Sequence, residues 1–428
     1  MKSYKELSRD ELLELQGALN KEYADAKSKG LSLNMARGKP SPEQLGFSMG
    51  IMDVLNSSSE LVSEDGTDCR NYGVLDGIPE AKRLMAGMVG TKSENMIVCG
   101  NASLPIMYDT VARSYAFGVC GGKPWCKQEH VKFLCPVPGY DRHFAITEQF
   151  GIEMINIPMH EDGPDMDLVE KYVESDSSVK GIWCVPKYSN PEGVCYSDEV
   201  VRRFAALKPA AEDFRIYWDN AYAMHHLYPD QPVKILDIIE ECEKAGHPDM
   251  VFEFCSTSKV TFSGSGVAAV ATSEKNREWF KKTMTIQTIG YDKINQLRHV
   301  KYFGDIEGMK AHMVKMADSL RPKFEAVHEV LEAELGGLEI GKWTDPKGGY
   351  FISFYTLPGC AKKVAAMCKD AGVTLTGAGA TYPYKKDPED SNIRIAPSFP
   401  TVDEMKLAAK LFALCVKRVS VEKLLEEK

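Results

Sequence analysis

Between residues 95 and 273 the chain returns seven times to a short apolar run that barely alternates with polar residues. The runs are NMIVCG (95–100), VKFLCPVPG (131–139), EMINIPM (153–159), VKGIWCVP (179–186), FRIYWDNAY (214–222), VFEFCSTSK (251–259) and GVAAVATS (266–273). A strand with one wet face alternates in polarity, so runs without alternation predict strands buried on both faces. Helical segments separate them, as parallel strands joined by crossovers require. The chain is therefore expected to be α/β, with a large domain built on a mostly parallel seven-stranded sheet flanked by helices. After about residue 305 the pattern changes. A long helical stretch leads into YFISFYT, GVTLTGAG and NIRIAPS, and a closing helix begins near Thr401. That predicts a smaller α+β domain. The expected division is residues 1–50 as an N-terminal helix and loop packing with the small domain, 51–304 as the large domain, and 305–428 as the small one.

Charge and cysteine usage exclude several function classes. Lys plus Arg total 52 against 61 Asp plus Glu, giving a net charge of −9. With no basic stripe, a nucleic-acid partner is not expected. No apolar run approaches the roughly 18 residues a membrane helix needs, and the start, MKSYKELSRDELLELQ, lacks the apolar region of a secretory signal. A cytoplasmic protein is expected. The 12 cysteines are scattered through apolar stretches and read as buried free thiols, with no metal site.

Open α/β sheets bind ligands beyond the carboxyl ends of their strands, so polar residues just after the runs carry the functional signal. The segment FCSTSKVTFSGSG (254–266) sets Lys259 after a strand, among Ser256, Ser258 and a Gly-Ser-Gly turn. This suits Schiff-base formation with a carbonyl cofactor whose phosphate is held by hydroxyls and backbone N–H groups. A solvated loop lysine fits the segment alone equally well. Asn190, in YSNPEG, presents an amide at another strand end. Asp219 directly follows Phe214–Trp218, where an ionised carboxylate needs a partner, and Tyr222 lies three residues on. Tyr140, in PVPGYDRH, is able to stack on a flat ring. Arg394, inside the strand-like SNIRIAPS, needs a carboxylate from the protein or from a substrate.

In order and spacing these residues resemble the class I, fold type I aminotransferases that use pyridoxal 5′-phosphate (PLP). There are 29 residues from Asn190 to Asp219, 40 from Asp219 to Lys259 and 135 from Lys259 to Arg394. The phrases MARGKPSPEQL, RNYGVLDGIPEAK and YDKINQLRHVKYF are most similar to the subgroup Ic aspartate aminotransferases, which are related to MocR regulators. The resemblance implies transfer of the amino group of L-aspartate to 2-oxoglutarate by a ping-pong cycle through Lys259, with Asp219 on the pyridine nitrogen. Asn190 and Tyr222 would bind the ring's phenolic oxygen, and Tyr140 would stack on the ring. The phosphate would lie on Asn101, Ala102, Ser103, Ser256 and Ser258. Tyr72 would reach the phosphate of a neighbouring subunit, implying a homodimer with shared sites. Arg394 would clamp the substrate α-carboxylate, near Gly38 and Asn190, while Arg37 or Arg298 would bind the distal carboxylate. One departure stands out: relatives carry a phosphate-binding arginine shortly after the lysine, where this chain has Ser265 and Gly266. Another fold type I reaction such as β-elimination, a different amino-acid specificity, and a PLP-sensing regulator are the alternatives. The last is disfavoured because only about 30 residues precede the ARGKP loop, too few for a DNA-binding domain.

Overall fold

The computed structural model describes residues 2–428. After a two-residue strand β1 (Leu33–Asn34), eight strands form the large sheet: β2 (Met96–Val98), β3 (Lys132–Val137), β4 (Glu153–His160), β5 (Gly163–Pro164), β6 (Val179–Cys184), β7 (Arg215–Asp219), β8 (Val251–Ser256) and β9 (Ala268–Ala271). Their spatial order is β2-β9-β8-β7-β6-β3-β4-β5. The pairs β4–β3, β3–β6, β6–β7 and β7–β8 are parallel, while β9 runs against both β8 and β2. All seven expected runs are strands of this sheet. The eighth, β5, adds an antiparallel edge to β4, and its two residues are too short to leave a pattern.

Every residue of β6, β7 and β8 is buried, and neighbours along a strand feed opposite cores. Ile216 and Trp218 join one cluster with Leu134, Ile182 and Val251, whereas Tyr217 joins Phe133, Trp183 and Phe252 on the other face. Two apolar faces therefore produce the near-continuous runs in the sequence. β4, next to the edge, alternates in burial instead.

A third core lies under a three-stranded antiparallel sheet of β10 (Gly341–Trp343), β11 (Ile352–Thr356) and β13 (Asn392–Ile395). β12 (Val373–Thr374) pairs in parallel with β1. The N-terminal helix Arg9–Ser28 starts with a capping box at Ser8 and Glu11. It lies on this core, with the Tyr23 hydroxyl donating to Met367 O and Asp370. The β1–β12 pairing fixes where the Arg37–Gly38 loop leaves the core. Most of the parallel strands, β2, β3, β6, β7 and β8, point their carboxyl ends to one edge of the large sheet, and antiparallel β9 begins there. That edge collects the segments singled out from the sequence.

On β8, Glu253 is 3% exposed, and its Oε1 accepts from Asn220 Nδ2 at 3.0 Å. Asn220 Oδ1 has no hydrogen-bond partner. Burial pushes the Glu253 carboxyl up to about 8, with a smaller contribution from Asp237. The folded state thus holds this proton to higher pH than the unfolded chain does. Stability from this group falls as pH rises from the usual carboxylate range to about 8, by about 3 kcal/mol at pH 7, and levels off above. Glu253→Gln keeps the acceptor, adds an amide donor and cannot ionise. Its melting temperature is expected to exceed wild type increasingly from pH 5 to 8. A difference that stays constant over that range contradicts the neutral buried carboxyl.

Candidate functional site

At the carboxyl edge, Lys259, Asp219, Tyr222, Asn190, Tyr140, Ser103, Arg394, Arg37 and Gly38 all line one cavity of about 470 Å³. Asp219 ends β7 and is 2% exposed. His143 Nε2 lies 2.9 Å from its Oδ2. Its Oδ1 is buried without a partner, a cost that a ligand N–H at that position relieves. His143 is itself fixed: it stacks on Trp183 at 4.4 Å between centroids, with ring planes 10° apart. Trp183 Nε1 donates to Thr147 Oγ1, whose hydroxyl donates to His143 O. The sequence reading missed His143, although it lies three residues after Tyr140. Its role is visible only through a contact with Asp219, 76 residues away.

Lys259 leaves the turn after β8 with its Nζ 4.9 Å from the centre of the Tyr222 ring. Burial lowers its pKa from the ordinary lysine value, and the negative charge of Asp219 opposes that shift only in part. Tyr222 is held neutral by its own burial. Tyr140 caps the helix Asp141–Gln149, lines the cavity and meets the His143 ring edge-on at 4.9 Å. Burial and the nearby Asp219 push its hydroxyl up to about 12. Both phenols are donors at neutral pH.

Arg394 is central in β13, opposite Ser353 on β11. Its Nη1 donates to Asp141 Oδ1 at 2.8 Å and to Asn190 Oδ1 at 3.1 Å, and the guanidinium carbon stands 4.8 Å from the Phe351 ring centre. The free site therefore already holds one carboxylate against Arg394. Gly38 is required by close approach: a Cβ there would fall 2.5 Å from Phe351 Cζ. Arg142, on the same helix as His143 and not singled out in the sequence, also lines the cavity.

The proposed phosphate residues gather at one end. Ser103 opens the helix Ser103–Phe117, whose N-cap Ala102 offers no side-chain acceptor, so the first N–H groups remain free for an anion. Ser256 Oγ donates to Ser258 Oγ at 3.0 Å. Asn101 Nδ2 reaches Gly264 O at 3.5 Å, tying the helix start to the loop after Lys259. Asn101, Ala102, Ser256 and Ser258 adjoin the cavity without lining it. Arg298 lies elsewhere, and Tyr72, expected to reach a neighbouring subunit, lies outside this cavity. Tyr72 is 80% exposed. Arg298 does not line the cavity; it is turned toward Ser265, with Nη2 donating to Ser265 Oγ at 2.8 Å.

These residues fit PLP: an unpartnered buried acceptor for a pyridine N–H, an amine lining the cavity for a carbonyl, and free N–H groups with hydroxyls for a phosphate. The comparisons with known proteins agree. The profile of the aspartate amino-transferase family matches residues 7–428. An aspartate aminotransferase of Corynebacterium glutamicum is 47% identical over 405 residues, covering 94% of this chain and 93% of that protein. The crystal structure of an aspartate transaminase from C. glutamicum superposes with a TM-score of 0.96 at 45% identity, covering 99% of both chains. At 16% identity, the α-aminoadipate aminotransferase of Thermus thermophilus, complexed with N-(5′-phosphopyridoxyl)-L-leucine, shares the fold with a TM-score of 0.73 over 96% of both chains. The chain belongs to the aspartate aminotransferase family and is an aminotransferase of PLP fold type I.

Proposed function

We propose that this enzyme transfers the amino group of L-aspartate to 2-oxoglutarate, with Lys259 as the proton-transfer residue and PLP as cofactor. The observation that carries the reading is the convergence of the half-buried Lys259, the unpartnered Asp219 Oδ1 and Arg394 in one cavity. PLP, when bound, supplies a carbonyl that joins to amines and a ring that accepts electrons from the substrate Cα. Asp219 holds a proton on the pyridine nitrogen, and His143 keeps the carboxylate oriented. The lowered pKa of Lys259 favours its taking the proton from the substrate Cα and returning it elsewhere. Tyr222 and Asn190 would hold the ring's phenolic oxygen, and Tyr140 would pack against the ring. Arg394 exchanges Asp141 for the α-carboxylate of the substrate, a charge-assisted contact.

Substrates with an acidic side chain need a second cation. Arg37 and Arg142 both face the cavity, and neither is in an ion pair among the described residues. We assign the distal carboxylate to them. Tyr72 and Ile289 support a homodimer: they are 80% and 61% exposed, on segments in contact where Gly290 passes close to Gly73 O. The twelve unpaired cysteines suit a reducing, cytoplasmic setting. No helix is long and apolar enough to cross a membrane among the described residues.

Initial rates with aspartate and 2-oxoglutarate are expected to give parallel double-reciprocal lines. Lys259→Ala should lower kcat by at least about 10³-fold. Pyruvate and ammonia formed without any 2-oxo acid from an amino acid with a leaving group on Cβ, such as cystathionine or O-acetylserine, would instead establish elimination. Arg37→Ala and Arg142→Ala should each lower kcat/KM for aspartate by roughly 10- to 100-fold while sparing alanine, which has no distal carboxylate. If both variants keep aspartate within about threefold of wild type, the assignment of these arginines is wrong.

A further inference from the structure

We propose that Arg298 supplies the positive charge for the cofactor phosphate, acting from the helix Lys293–Phe303 across Ser265. The proposal rests on the PLP reading above. A phosphate monoester at neutral pH carries close to two negative charges. The start of the helix at Ser103 supplies about half a positive charge, and the hydroxyls of Ser256 and Ser258 are neutral. Lys259 is committed to the carbonyl. The remaining charge has to come from a side chain in contact with this cradle.

The loop itself has no room for one at Gly266. A Cβ there would lie 2.9 Å from Asn101 O and 2.9 Å from Thr257 Oγ1, so the backbone passes between the helix start and the turn that carries Lys259. Arg298 meets the loop one residue earlier. Its Nη2 donates to Ser265 Oγ at 2.8 Å and to Asn295 Oδ1 at 2.5 Å, and Asn295 Nδ2 in turn donates to Gly266 O at 2.7 Å. One asparagine thus positions both the guanidinium and the loop. Both partners of Arg298 are neutral, its Nε is buried with no hydrogen-bond partner, and no carboxylate pairs with it among the described residues. A half-buried guanidinium without a counter-charge, one of its N–H groups buried and unpartnered, is a favourable contact for an arriving dianion. Because Ser265 Oγ accepts from Arg298, the Ser265 hydroxyl proton is free to donate to the same anion.

The test compares PLP with pyridoxal, which lacks the phosphate, by titrating each into the apoprotein and following the cofactor absorption band and tryptophan fluorescence. Arg298→Gln keeps hydrogen-bonding capacity and removes the charge. It is expected to weaken PLP binding roughly 10- to 100-fold while pyridoxal stays within about twofold of wild type, and Arg298→Lys should recover much of the loss. Ser265→Ala, which leaves the helix untouched, should give the same selective loss at about three- to tenfold. Unchanged PLP affinity in Arg298→Gln, or equal weakening of PLP and pyridoxal, overturns the proposal; equal weakening means that Arg298 only holds the loop. If Arg298→Gln does not fold, a Ser265→Ala protein with no selective loss overturns it instead. Failure of the wild-type chain to bind either compound rejects the cofactor reading itself, an outcome distinct from wild-type binding that the Arg298 variant retains.

Discussion

The site depends on a carboxyl group held inside the protein with one oxygen left open. Asp219 sits at the end of a fully buried strand, where an isolated charge is costly. His143 answers one oxygen and leaves the other without a partner. Around this half-satisfied group the surroundings are rigid: Trp183 stacks on His143, Thr147 ties both together, and the parallel strands β6 and β7 carry Trp183 and Asp219. A buried polar atom kept open in a packed core marks a place prepared for a ligand, and the pyridine nitrogen of PLP matches it in charge and size.

The cavity sorts its cations by environment. Desolvation lowers the Lys259 pKa from the ordinary lysine value, the direction that the proposed proton-transfer role needs. Arg394 rests against Asp141 and Asn190. On the proposed assignment, a substrate carboxylate would replace this ion pair instead of meeting a bare guanidinium, and binding would reflect the difference between the two pairs. The Asp141–Arg394 contact joins the helix after β3 to strand β13 of the small sheet. The proposed exchange of Asp141 for substrate would alter a bond between the two sheets' surroundings as the cavity fills.

Much of this was legible in the sequence. Seven strands announced themselves because residues such as Ile216 and Tyr217 enter different cores and leave no polar face. The strand ends then named Lys259, Asp219, Tyr222, Asn190 and Tyr140, and the structure gathers them in one cavity. The family followed from their order and spacing, and the profile match over residues 7–428 agrees. What stayed hidden depends on contacts between distant segments. β5 is two residues long, His143 matters through a residue 76 positions away, and Arg142 lies next to residues that drew attention for other reasons. Arg298 was grouped with substrate cations because sequence shows only that a guanidinium is present. Its contact with Ser265, 33 residues earlier, sets its direction.

The central claim is that this cavity moves an amino group in two separable halves. The direct measurement is the visible absorption of the PLP-loaded protein on adding L-aspartate alone, then 2-oxoglutarate, with Lys259→Ala in parallel. The account predicts that aspartate removes the cofactor band, 2-oxoglutarate restores it, and the variant completes neither change. A wild-type band indifferent to both compounds would contradict it.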